Sequence, residues 1–521
     1  MLAGTVNPAS TLFNAFSCSD HTTAIIVPGK KPVTISFKDI RSEILSFQIK
    51  LAHLGITPGD AVSLALPNSY EFVISFLAST SQRAISTPLN PAYTQEEFEF
   101  YISDLDSSLL LVPLAAYEKN IPAVRAARKQ NAAIAECYWN GQEMILDVKE
   151  DGKLRGKGNQ KLERTQPNDV ALVLHTSGTT GRPKAVPLTH RNLIRSMNNI
   201  RDTYALSTQD RSMLVMPLFH VHGLLAGLLA PLYAGGSVII PRKFSATKFW
   251  FDFTAHGANW YTAVPTIHQI LLQNPLPNPK PTIRFIRSCS SPLSPTISQA
   301  IEEAYGAPVL EAYAMTEAAH QITSNPLPPA HRQPGSVGIA QGVSIMILNE
   351  DGDDVPIGKE GEICIKGENV TVGYLNNPVA NNENFTKNGF FRTGDQGIID
   401  EKGYLYISGR IKELINKAGE KISPVELDNV LLRHPKVSEV VSFAVPDPMY
   451  GQNVAIAVVA KSKLSISEKD IQEWMGERLA KFKMPKEIYF VEEIPKTATG
   501  KIQRRLVAEE ILRQRKITAK L

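Results

Sequence analysis

The sequence has few cysteines and almost no excess charge. Its 521 residues contain four cysteines, Cys18, Cys137, Cys289 and Cys364. They lie far apart and form no Cys-x-x-Cys pair, so we predict neither a disulfide framework nor a zinc site and expect reduced thiols in an intracellular protein. The 55 basic and 51 acidic residues leave a net charge of +4, which is too small to indicate a nucleic acid as the partner.

Long apolar runs without interruption are also missing. Residues 1–10 lack the charged and apolar regions of a secretory signal, so we do not expect secretion. The most apolar stretch, residues 223–241, is broken by Gly227, Pro231 and the pair at 235–236. Because of these breaks, it predicts a buried helix, a turn and a core strand at 237–240 and not a transmembrane segment.

The length and the 43% hydrophobic content allow more than one domain. In the first 165 residues, short apolar segments alternate with segments of helical spacing: strands at 34–37 and 61–66, helices at 40–54 and 70–82. This alternation predicts an α/β fold with a mainly parallel sheet covered by helices. Short strands and tight turns at 361–367 and 403–408 predict a β subdomain.

A loop rich in glycine and hydroxyl groups, His175-Thr-Ser-Gly-Thr-Thr-Gly-Arg-Pro-Lys184, follows an apolar strand at 170–174 and precedes a helix start at 189. Such a loop offers many donors to one anion, so we interpret it as a phosphate cradle. Its candidate contacts are Thr176, Ser177, Gly178, Thr179, Thr180, Gly181 and Lys184. It is not a P-loop, because Gly178 and Gly181 are too close together and Ala185 follows the lysine where a hydroxyl residue is needed.

Three further segments carry residues suited to binding. Met216-Pro-Leu-Phe-His-Val-His-Gly223 contains His220 and His222, which on an extended segment would point the same way and line one wall. A single histidine in such surroundings is otherwise a satisfied core group. In Ile283-Arg-Phe-Ile-Arg-Ser-Cys-Ser-Ser-Pro-Leu293, a predicted strand runs into small residues that would let a flat ring approach the backbone.

The third segment is Leu310-Glu-Ala-Tyr-Ala-Met-Thr-Glu-Ala-Ala-His320. Tyr313 can stack on a purine, Thr316 can bond a phosphate oxygen, and Glu317 can hold Mg²⁺ through oxygen ligation. The alternative interpretation of this segment is the start of an amphipathic helix.

In their order along residues 86–505, these motifs resemble the signatures of the adenylate-forming superfamily, which includes acyl-CoA synthetases, adenylation domains and luciferases. The resemblance implies a large N-terminal AMP-binding domain at 1–408, a hinge at 409–412 and a small, mobile α+β domain at 413–521. It also implies ATP and Mg²⁺ as cofactors, coenzyme A as cosubstrate and a small carboxylic acid as substrate.

The same resemblance implies a role for each matching residue. The adenine edge and part of the acyl pocket would lie at Ser290, Ser291 and Pro292. The nucleotide would also contact Glu311, Ala312, Tyr313, Ala314, Met315, Asp395 and Arg410, the last through ribose or phosphate. Thr316 and Glu317 would bind the α-phosphate and the metal. Lys412 would be the hinge pivot, and Gly419 would border the pantetheine channel. Lys501 matches the catalytic lysine of acid activation. Ala314 replaces the glycine of the family motif, which requires a backbone conformation open to a Cβ, and Ala418 replaces a residue that is often glycine or basic in relatives.

Within the superfamily, the combined motifs most resemble the oxalyl-CoA synthetases. His220, the histidine of the aromatic-histidine motif, together with His222, Ser288 and His320, would contact the acid, with Arg287 nearby. Such polar groups suit a second carboxylate better than an aryl or fatty tail. The alternatives are a 4-coumarate-like or medium-chain acyl-CoA ligase and, in a different class, a non-catalytic nucleotide-binding protein or a luciferase-type monooxygenase.

The sequence ends in Ala519-Lys-Leu521, which matches a peroxisomal address of the Ser-Lys-Leu type. We therefore predict the peroxisomal matrix as the location and the import receptor as a partner, with the cytoplasm as the alternative.

Overall fold

The structure is a computed structural model that describes residues 10–16, 19–156, 158, 160–176, 182–461, 466–497 and 502–518. Its first elements are β1 (Thr23–Val27), β2 (Val33–Ser36), α1 (Phe37–Leu54), β3 (Ala61–Leu64), α2 (Tyr70–Ser81), β4 (Ile85–Pro88), α3 (Gln95–Asp104), β5 (Leu109–Val112), α4 (Pro122–Lys129), β6 (Ala133–Trp139), β7 (Met144–Glu150), β8 (Val170–Thr176), β9 (Lys184–Thr189) and α5 (His190–Thr203). The middle of the chain forms β10 (Arg211–Met213), a π-helical segment (His222–Leu229), α6 (Ala230–Tyr233), β11 (Ser237–Ile239), α7 (Ala246–Ala255), β12 (Trp260–Ala263), α8 (Pro265–Leu272), β13 (Phe285–Cys289), α9 (Pro295–Tyr305), β14 (Val309–Met315), β15 (His320–Ser324) and β16 (Ile339–Ala340).

The remaining elements are β17 (Ser344–Leu348), β18 (Gly361–Lys366), α10 (Pro378–Asn384), β19 (Phe391–Ile399), β20 (Leu405–Arg410), β21 (Ile415–Lys417), β22 (Glu420–Ile422), α11 (Pro424–Leu431), β23 (Val437–Asp447), β24 (Gly451–Ala460), α12 (Glu468–Gly476), β25 (Glu487–Phe490) and α13 (Arg504–Thr518). Within the described residues the strands form four sheets.

Two large sheets form the scaffold. The first has the order β16-β15-β14-β13-β12-β10-β11-β1-β2, and its central strands run parallel. The second has the order β7-β6-β5-β3-β4-β8-β9, again with a parallel centre. Parallel strands need crossover helices, and these helices cover both faces of each sheet.

The helices arrange the two sheets into alternating layers. The helices α1 and α5 contact strands of both sheets, and α2 lies with them in the apolar core that the two sheets share. A second core joins the first sheet to α7, α8 and α9, and a third joins the second sheet to α3 and α4. Because the sheets face each other across one layer of helices, the carboxyl ends of their strands can border a common site.

Local sequence explains why the individual helices start where they do. The helix α1 begins after Ser36, whose side chain accepts a hydrogen bond from the backbone of Asp39 in a capping box, and ends at Gly55 with a φ of 107°. The helix α5 begins in the same way after Thr189, with Asn192 as its partner. The predicted strands and helices of the first 90 residues are therefore confirmed, with bounds that differ by a few residues.

Two smaller sheets follow. The order β17-β18-β19-β20 forms an antiparallel sheet, which corresponds to the predicted β subdomain. The strands β21 to β25 form a separate sheet, whose cores also contain α11, α12 and α13. This arrangement confirms the predicted fold class, a large N-terminal domain of parallel-rich sheets with a smaller C-terminal domain.

The described cysteines Cys137, Cys289 and Cys364 are buried free thiols, and Cys18 lies outside the described residues. The apolar stretch at 223–241 forms a π-helical segment, α6 and β11, which confirms the helix, turn and core strand predicted for it. Among the helices of the described ranges, none combines the length and the apolar character needed to cross a lipid bilayer.

Candidate active site

One carboxylate contacts residues at both ends of the glycine-rich loop. The strands β8 and β9 pair antiparallel up to Thr176 and Lys184. Asp104, the last residue of α3, lies 3.0 Å from His175 Nε2 and 3.3 Å from Arg182 Nη2. Ser177, Gly178, Thr179, Thr180 and Gly181 lie outside the described residues, so their predicted phosphate contacts stay predictions.

Lys184, Tyr374 and Glu317 lie together beside this loop. The Lys184 Nζ lies 4.6 Å from the centroid of the Tyr374 ring, and the Tyr374 hydroxyl donates a hydrogen bond of 2.8 Å to Glu317 Oε1. Burial raises the pKa of Glu317, and the hydrogen bond from Tyr374 opposes that rise. A buried carboxylate close to a lysine is suited to share a divalent cation with a phosphate bound by that lysine.

The magnesium prediction fits a site of this kind. In the part of the chain that the structure describes, no group of three or more His, Cys, Asp or Glu side chains could hold a metal ion. Mg²⁺ needs no such cage, because it keeps several waters and binds through one or two carboxylates plus the phosphates of the substrate. Glu317 would provide the carboxylate, and the neighbouring Thr316 is half-buried beside it.

Tyr313, Asp395 and Arg410 form the next group. The Tyr313 hydroxyl donates a hydrogen bond to the Asp395 carboxylate, which lies 3.2 Å from Arg410 Nε. Asp395 in β19 pairs directly with Arg410 in β20, so the antiparallel register brings the two side chains together. Burial, reinforced by the Asp395 charge, raises the pKa of Tyr313 well above its ordinary value. The ring therefore stays neutral and able to stack on a base, while Asp395 offers oxygens to vicinal hydroxyls.

The predicted adenine contacts lie at the ends of neighbouring strands. Ser290, Ser291 and Pro292 follow β13 directly, and Glu311, Ala312, Ala314 and Met315 belong to the adjacent β14. Because strand side chains alternate, Glu311 and Tyr313 point to the same face. Ala314 is absent from the described non-glycine residues with positive φ, so its Cβ is accommodated without strain.

Glu311 borders a cavity of about 550 Å³ and is almost fully buried. Burial raises its pKa to about 8, although the backbone N–H of Gly335, 3.3 Å from Glu311 Oε1, opposes the rise. At neutral pH the carboxyl is therefore protonated and can donate a hydrogen bond as well as accept one.

His220, His222, Ser290 and His320 form what we call the acid-side cluster. The rings of His222 and His320 stack with centroids 5.2 Å apart and an interplanar angle of 24°. The Ser290 Oγ lies 3.0 Å from His222 Nδ1. Ser290 and His320 have φ values of 75° and 97°, a backbone region that is unfavourable for residues other than glycine and that clusters at functional sites.

The prediction that His220 and His222 lie on one extended segment is wrong. His222 begins the π-helical segment, and its backbone N–H donates a 3.2 Å hydrogen bond to His220 Nδ1. The apolar residues that follow favour a helix, because they are buried on all sides. The two histidines therefore belong to one turn, and a neutral His220 carries its proton on Nε2.

Arg287 is a buried neighbour of the acid-side cluster. Its side chain is completely buried, with Nε 2.7 Å from Tyr204 Oη and Nη2 3.2 Å from Gln321 Oε1. It is thus behind the acid-side cluster, and Ser288 in the same strand is also buried. Sequence reasoning missed Tyr374, Asp104, Tyr204, Gln321 and Thr262. For Thr262, the available signal was its place at the end of a strand next to β13 in a parallel sheet.

The C-terminal candidates lie on short connections. Lys412 is exposed in the turn Ile411–Glu413 that follows β20. Gly419 is exposed in the two-residue turn between β21 and β22, beside Ala418, and both have positive φ. Lys501 lies outside the described residues, and its catalytic role stays a prediction.

The family models decide what kind of site this is. The model described as AMP-binding enzyme matches residues 15–375, and the model described as AMP-binding enzyme C-terminal domain matches residues 426–501. The chain belongs to the AMP-binding enzyme family. The first match contains the glycine-rich loop, the acid-side cluster and Glu317, so these residues lie in the region that defines the AMP-binding enzymes.

Curated relatives of this AMP-binding enzyme match along most of its length. An oxalate–CoA ligase of Saccharomyces cerevisiae is 45% identical, with 98% of each chain covered. An oxalate–CoA ligase of Arabidopsis thaliana is 51% identical over 88% of this chain and 90% of that protein. The crystal structure of ATP-bound MatB from Rhodopseudomonas palustris is similar with a TM-score of 0.87 and 31% identity, over 96% of this chain and 98% of the other. The chain is an AMP-forming acyl-CoA synthetase.

Proposed function

We propose that this enzyme activates oxalate with ATP and transfers the oxalyl group to the thiol of coenzyme A. The acid-side cluster is the observation that carries this choice, because His220, His222, Ser290 and His320 bring imidazole and hydroxyl groups together next to the nucleotide side. A hydrocarbon tail has no group that can hydrogen-bond to these side chains, whereas a second carboxylate can accept hydrogen bonds from imidazole N–H and hydroxyl O–H groups. The two relatives named for oxalate support the same acid.

The first half-reaction needs positioning and charge neutralisation more than covalent catalysis. An acid oxygen attacks the α-phosphorus, the bond from phosphorus to the pyrophosphate oxygen breaks, and pyrophosphate leaves. Lys184 and the loop before it would hold the outer phosphates, and Thr316 would bond the α-phosphate. When bound, Mg²⁺ would neutralise charge on the phosphate oxygens, with Glu317 holding it. Asp395 and Arg410 would fix the ribose, and Tyr313 and Glu311 the base.

Lys501 would bridge the acid and the α-phosphate in that step. The thiol of coenzyme A then attacks the mixed anhydride and AMP leaves, so the lysine has to give way to the pantetheine arm. We propose that the C-terminal domain turns about Lys412 and brings Gly419 to the site between the two steps.

The substrate is tested by measuring the consumption of coenzyme A thiol with ATP and Mg²⁺ across oxalate, malonate, 4-coumarate, acetate and octanoate. A clear preference for oxalate supports the proposal. Preference for coumarate or octanoate would retain the reaction and overturn the acid. No thiol consumption with any acid would favour a non-catalytic nucleotide-binding protein. Light emission or oxygen consumption would favour a luciferase-type enzyme.

The role of Lys501 is tested by separating the half-reactions. Lys501→Ala should abolish acid-dependent exchange of pyrophosphate into ATP and spare thioester formation from supplied oxalyl-adenylate. Equal loss of both steps would contradict the role. The prediction that Ala519-Lys-Leu521 directs import into peroxisomes concerns residues outside the described ranges and stays a prediction.

A further inference from the structure

A buried cation lies directly behind the acid-side cluster. The Arg287 guanidinium is fully buried and contacts Tyr204, Gln321 and Thr262, with its Nη1 3.1 Å from Thr262 Oγ1. All three acceptors are neutral. The same Nη1 lies 3.4 Å from His222 Nε2. The positive charge therefore faces the histidine from inside the protein.

These contacts determine which nitrogen of His222 carries the proton. An arginine has only donors, so the Thr262 oxygen accepts from Arg287 and its own hydroxyl proton is free to point at His222 Nε2, 2.6 Å away. A proton on Nε2 would instead oppose the N–H groups of the guanidinium. A second positive charge on the ring is disfavoured for the same reason. His222 is therefore neutral and protonated on Nδ1.

The tautomer of His222 in turn orients Ser290. The Nδ1–H donates to Ser290 Oγ at 3.0 Å, so the serine hydroxyl has to direct its own proton away from the histidine. Ser290 is only half-buried, and its left-handed φ of 75° holds the side chain at the end of β13. The stacked ring of His320 supports the plane of His222. The Ser290 hydroxyl is therefore a hydrogen-bond donor that points to the acid side.

We propose that Arg287 and Thr262 are positioning residues that act through His222 to make the Ser290 hydroxyl a hydrogen-bond donor to the second carboxylate of a small dicarboxylate. The inference rests on the proposed function for its substrate class. Each donor in the series Arg287, Thr262, His222 and Ser290 is polarised by the one before it, so the buried charge strengthens the last hydrogen bond without touching the acid.

The kinetic test compares Thr262→Val with Thr262→Ser in the full-length enzyme. The valine variant keeps the volume and loses the hydroxyl, so we expect the KM for oxalate to rise about tenfold while the KM for ATP changes less than about twofold. The serine variant should restore the KM for oxalate. Thr87→Val is the matched control, because Thr87 is also buried, and its hydroxyl contacts Ser63 in the other large sheet. An unchanged KM for oxalate in Thr262→Val would overturn the proposal.

A double-mutant cycle and a spectrum separate positioning from mere stability. Ser290→Ala should raise the KM for oxalate at least as much as Thr262→Val does, and the double variant should match Ser290→Ala, since Thr262 acts on the acid only through the Ser290 hydrogen bond. Additive effects would refute the series. In ¹⁵N-histidine spectra of the wild-type enzyme, assigned with His222→Asn, His222 should show a protonated Nδ1 and a bare Nε2. A proton on Nε2 would refute it as well.

The substrate panel distinguishes the two possible failures. If the wild-type enzyme does not prefer oxalate, the proposed function fails. If it prefers oxalate but the Thr262 variants and the spectrum behave otherwise than stated, only the positioning role of Arg287 and Thr262 fails.

Discussion

Glu311 is a residue at which one proton changes the charge of the proposed adenine site. Its pKa is raised to about 8 by burial, so the carboxyl is neutral at pH 7 and becomes an anion above pH 8. If only the neutral form accepts the base, the KM for ATP should rise about fivefold between pH 8 and pH 9. The measurement is the KM for ATP as a function of pH.

Glu311→Gln is the control, because the amide keeps the shape and cannot ionise. Its KM for ATP should be flat across that range, and a wild-type profile equally flat would contradict the assignment. The stability of the fold should also decrease as the pH rises through the pKa of Glu311. A carboxyl with a raised pKa in the folded state contributes stability at low pH, and this contribution is lost as the pH rises through the folded pKa.

Tyr374 adjusts the charge of Glu317. Its hydroxyl donates to the carboxylate and lowers the pKa that burial raises, so Tyr374→Phe should leave Glu317 protonated at higher pH. We expect the acid limb of the pH profile of oxalate-dependent pyrophosphate exchange to move to higher pH. The Mg²⁺ concentration needed for half-maximal activity should also rise in Tyr374→Phe, and it should rise more at pH 6 than at pH 8.

Tyr404→Phe is the comparison for that experiment. In the wild type the buried Tyr404 hydroxyl donates to the His331 carbonyl at 2.6 Å, away from Glu317. The substitution therefore also removes a buried hydroxyl. Its pH profile should match the wild type. An identical shift in both variants would mean that general destabilisation, and not the carboxylate, is responsible.

Motifs predicted the residues whose function depends on local spacing, and missed those whose function depends on packing. Tyr313, Thr316 and Glu317 stand within five positions of one another and could be identified from the chain alone. Tyr374 reaches Glu317 from 57 positions away, and nothing in a local pattern indicates that contact. Arg287 was correctly noticed, but burial behind a histidine cannot be deduced from its neighbours in the sequence.

Among the elements, the turn between β21 and β22 has a residue that does not suit it. Lys417 pairs with Glu420, and Ala418 and Gly419 between them have φ values of 53° and 95°. A two-residue turn with both φ values positive prefers asparagine and glycine. Ala418→Asn should therefore stabilise the turn by about 1 kcal/mol and slow amide hydrogen exchange in β21 and β22 about fivefold.

Gly419→Ala makes the opposite change in the same turn. No atom lies within 4 Å of the added Cβ, so only the backbone conformation is strained. Exchange in β21 and β22 should become faster in this variant. If both substitutions change the rate of exchange in the same direction, the turn does not determine the stability of β21 and β22.

The end of α3 holds the flanks of the phosphate loop. Burial lowers the pKa of His175, so at neutral pH the ring donates Nε2–H to Asp104, and the charge pair is the one with Arg182. Asp104→Asn removes the charge and keeps the shape, and we expect the KM for ATP to rise about threefold with little change in the KM for oxalate. The readout is steady-state kinetics with each substrate varied.

Asp106→Asn serves as its control. Asp106 lies just beyond α3, is exposed and pairs with Lys153. Neither KM should change in this variant. Equal effects of the two substitutions would show that net charge near the loop matters and that the anchoring contact does not.

The elements themselves were predicted where the apolar period was strong. The strands β3 and β8 and the helices α1 and α2 follow alternation or helical spacing, because each has one face or both faces in a core. The short segment from Leu218 to His222 was wrongly expected to be extended, because short apolar runs with histidines fit a strand and a buried helix equally well, whereas the buried helix after it was predicted correctly. Its burial on all sides, a property of the tertiary structure, decides for the helix.

For the whole molecule, the junction of the two domains can be tested by fixing it. Lys421 of the C-terminal sheet pairs with Glu350 of the β subdomain. A short crosslink between Lys421→Cys and Glu350→Cys should retain one half-reaction and reduce the other at least about tenfold, because only one domain arrangement is then accessible. The measurements are pyrophosphate exchange and thioester formation from supplied oxalyl-adenylate.

Three controls accompany the crosslink. The single-cysteine variants and the crosslinker-treated wild type account for native thiols, of which Cys137, Cys289 and Cys364 are buried. A cleavable linker should restore the lost step on reduction. Full activity in both steps while crosslinked would exclude the domain rotation.

The antiparallel pairing of β8 and β9 up to Thr176 and Lys184 has a consequence for how this enzyme can evolve. The two strands pair from Val170–Thr189 to Thr176–Lys184 and bury most of their side chains, so these contacts supply most of the stability of the hairpin. Sequence change within residues 177–183 is therefore expected to alter turnover while leaving soluble yield intact. A mutational library confined to these positions would sample catalysis with little loss of folded protein, whereas one spread over the flanking strands would be filtered first by folding.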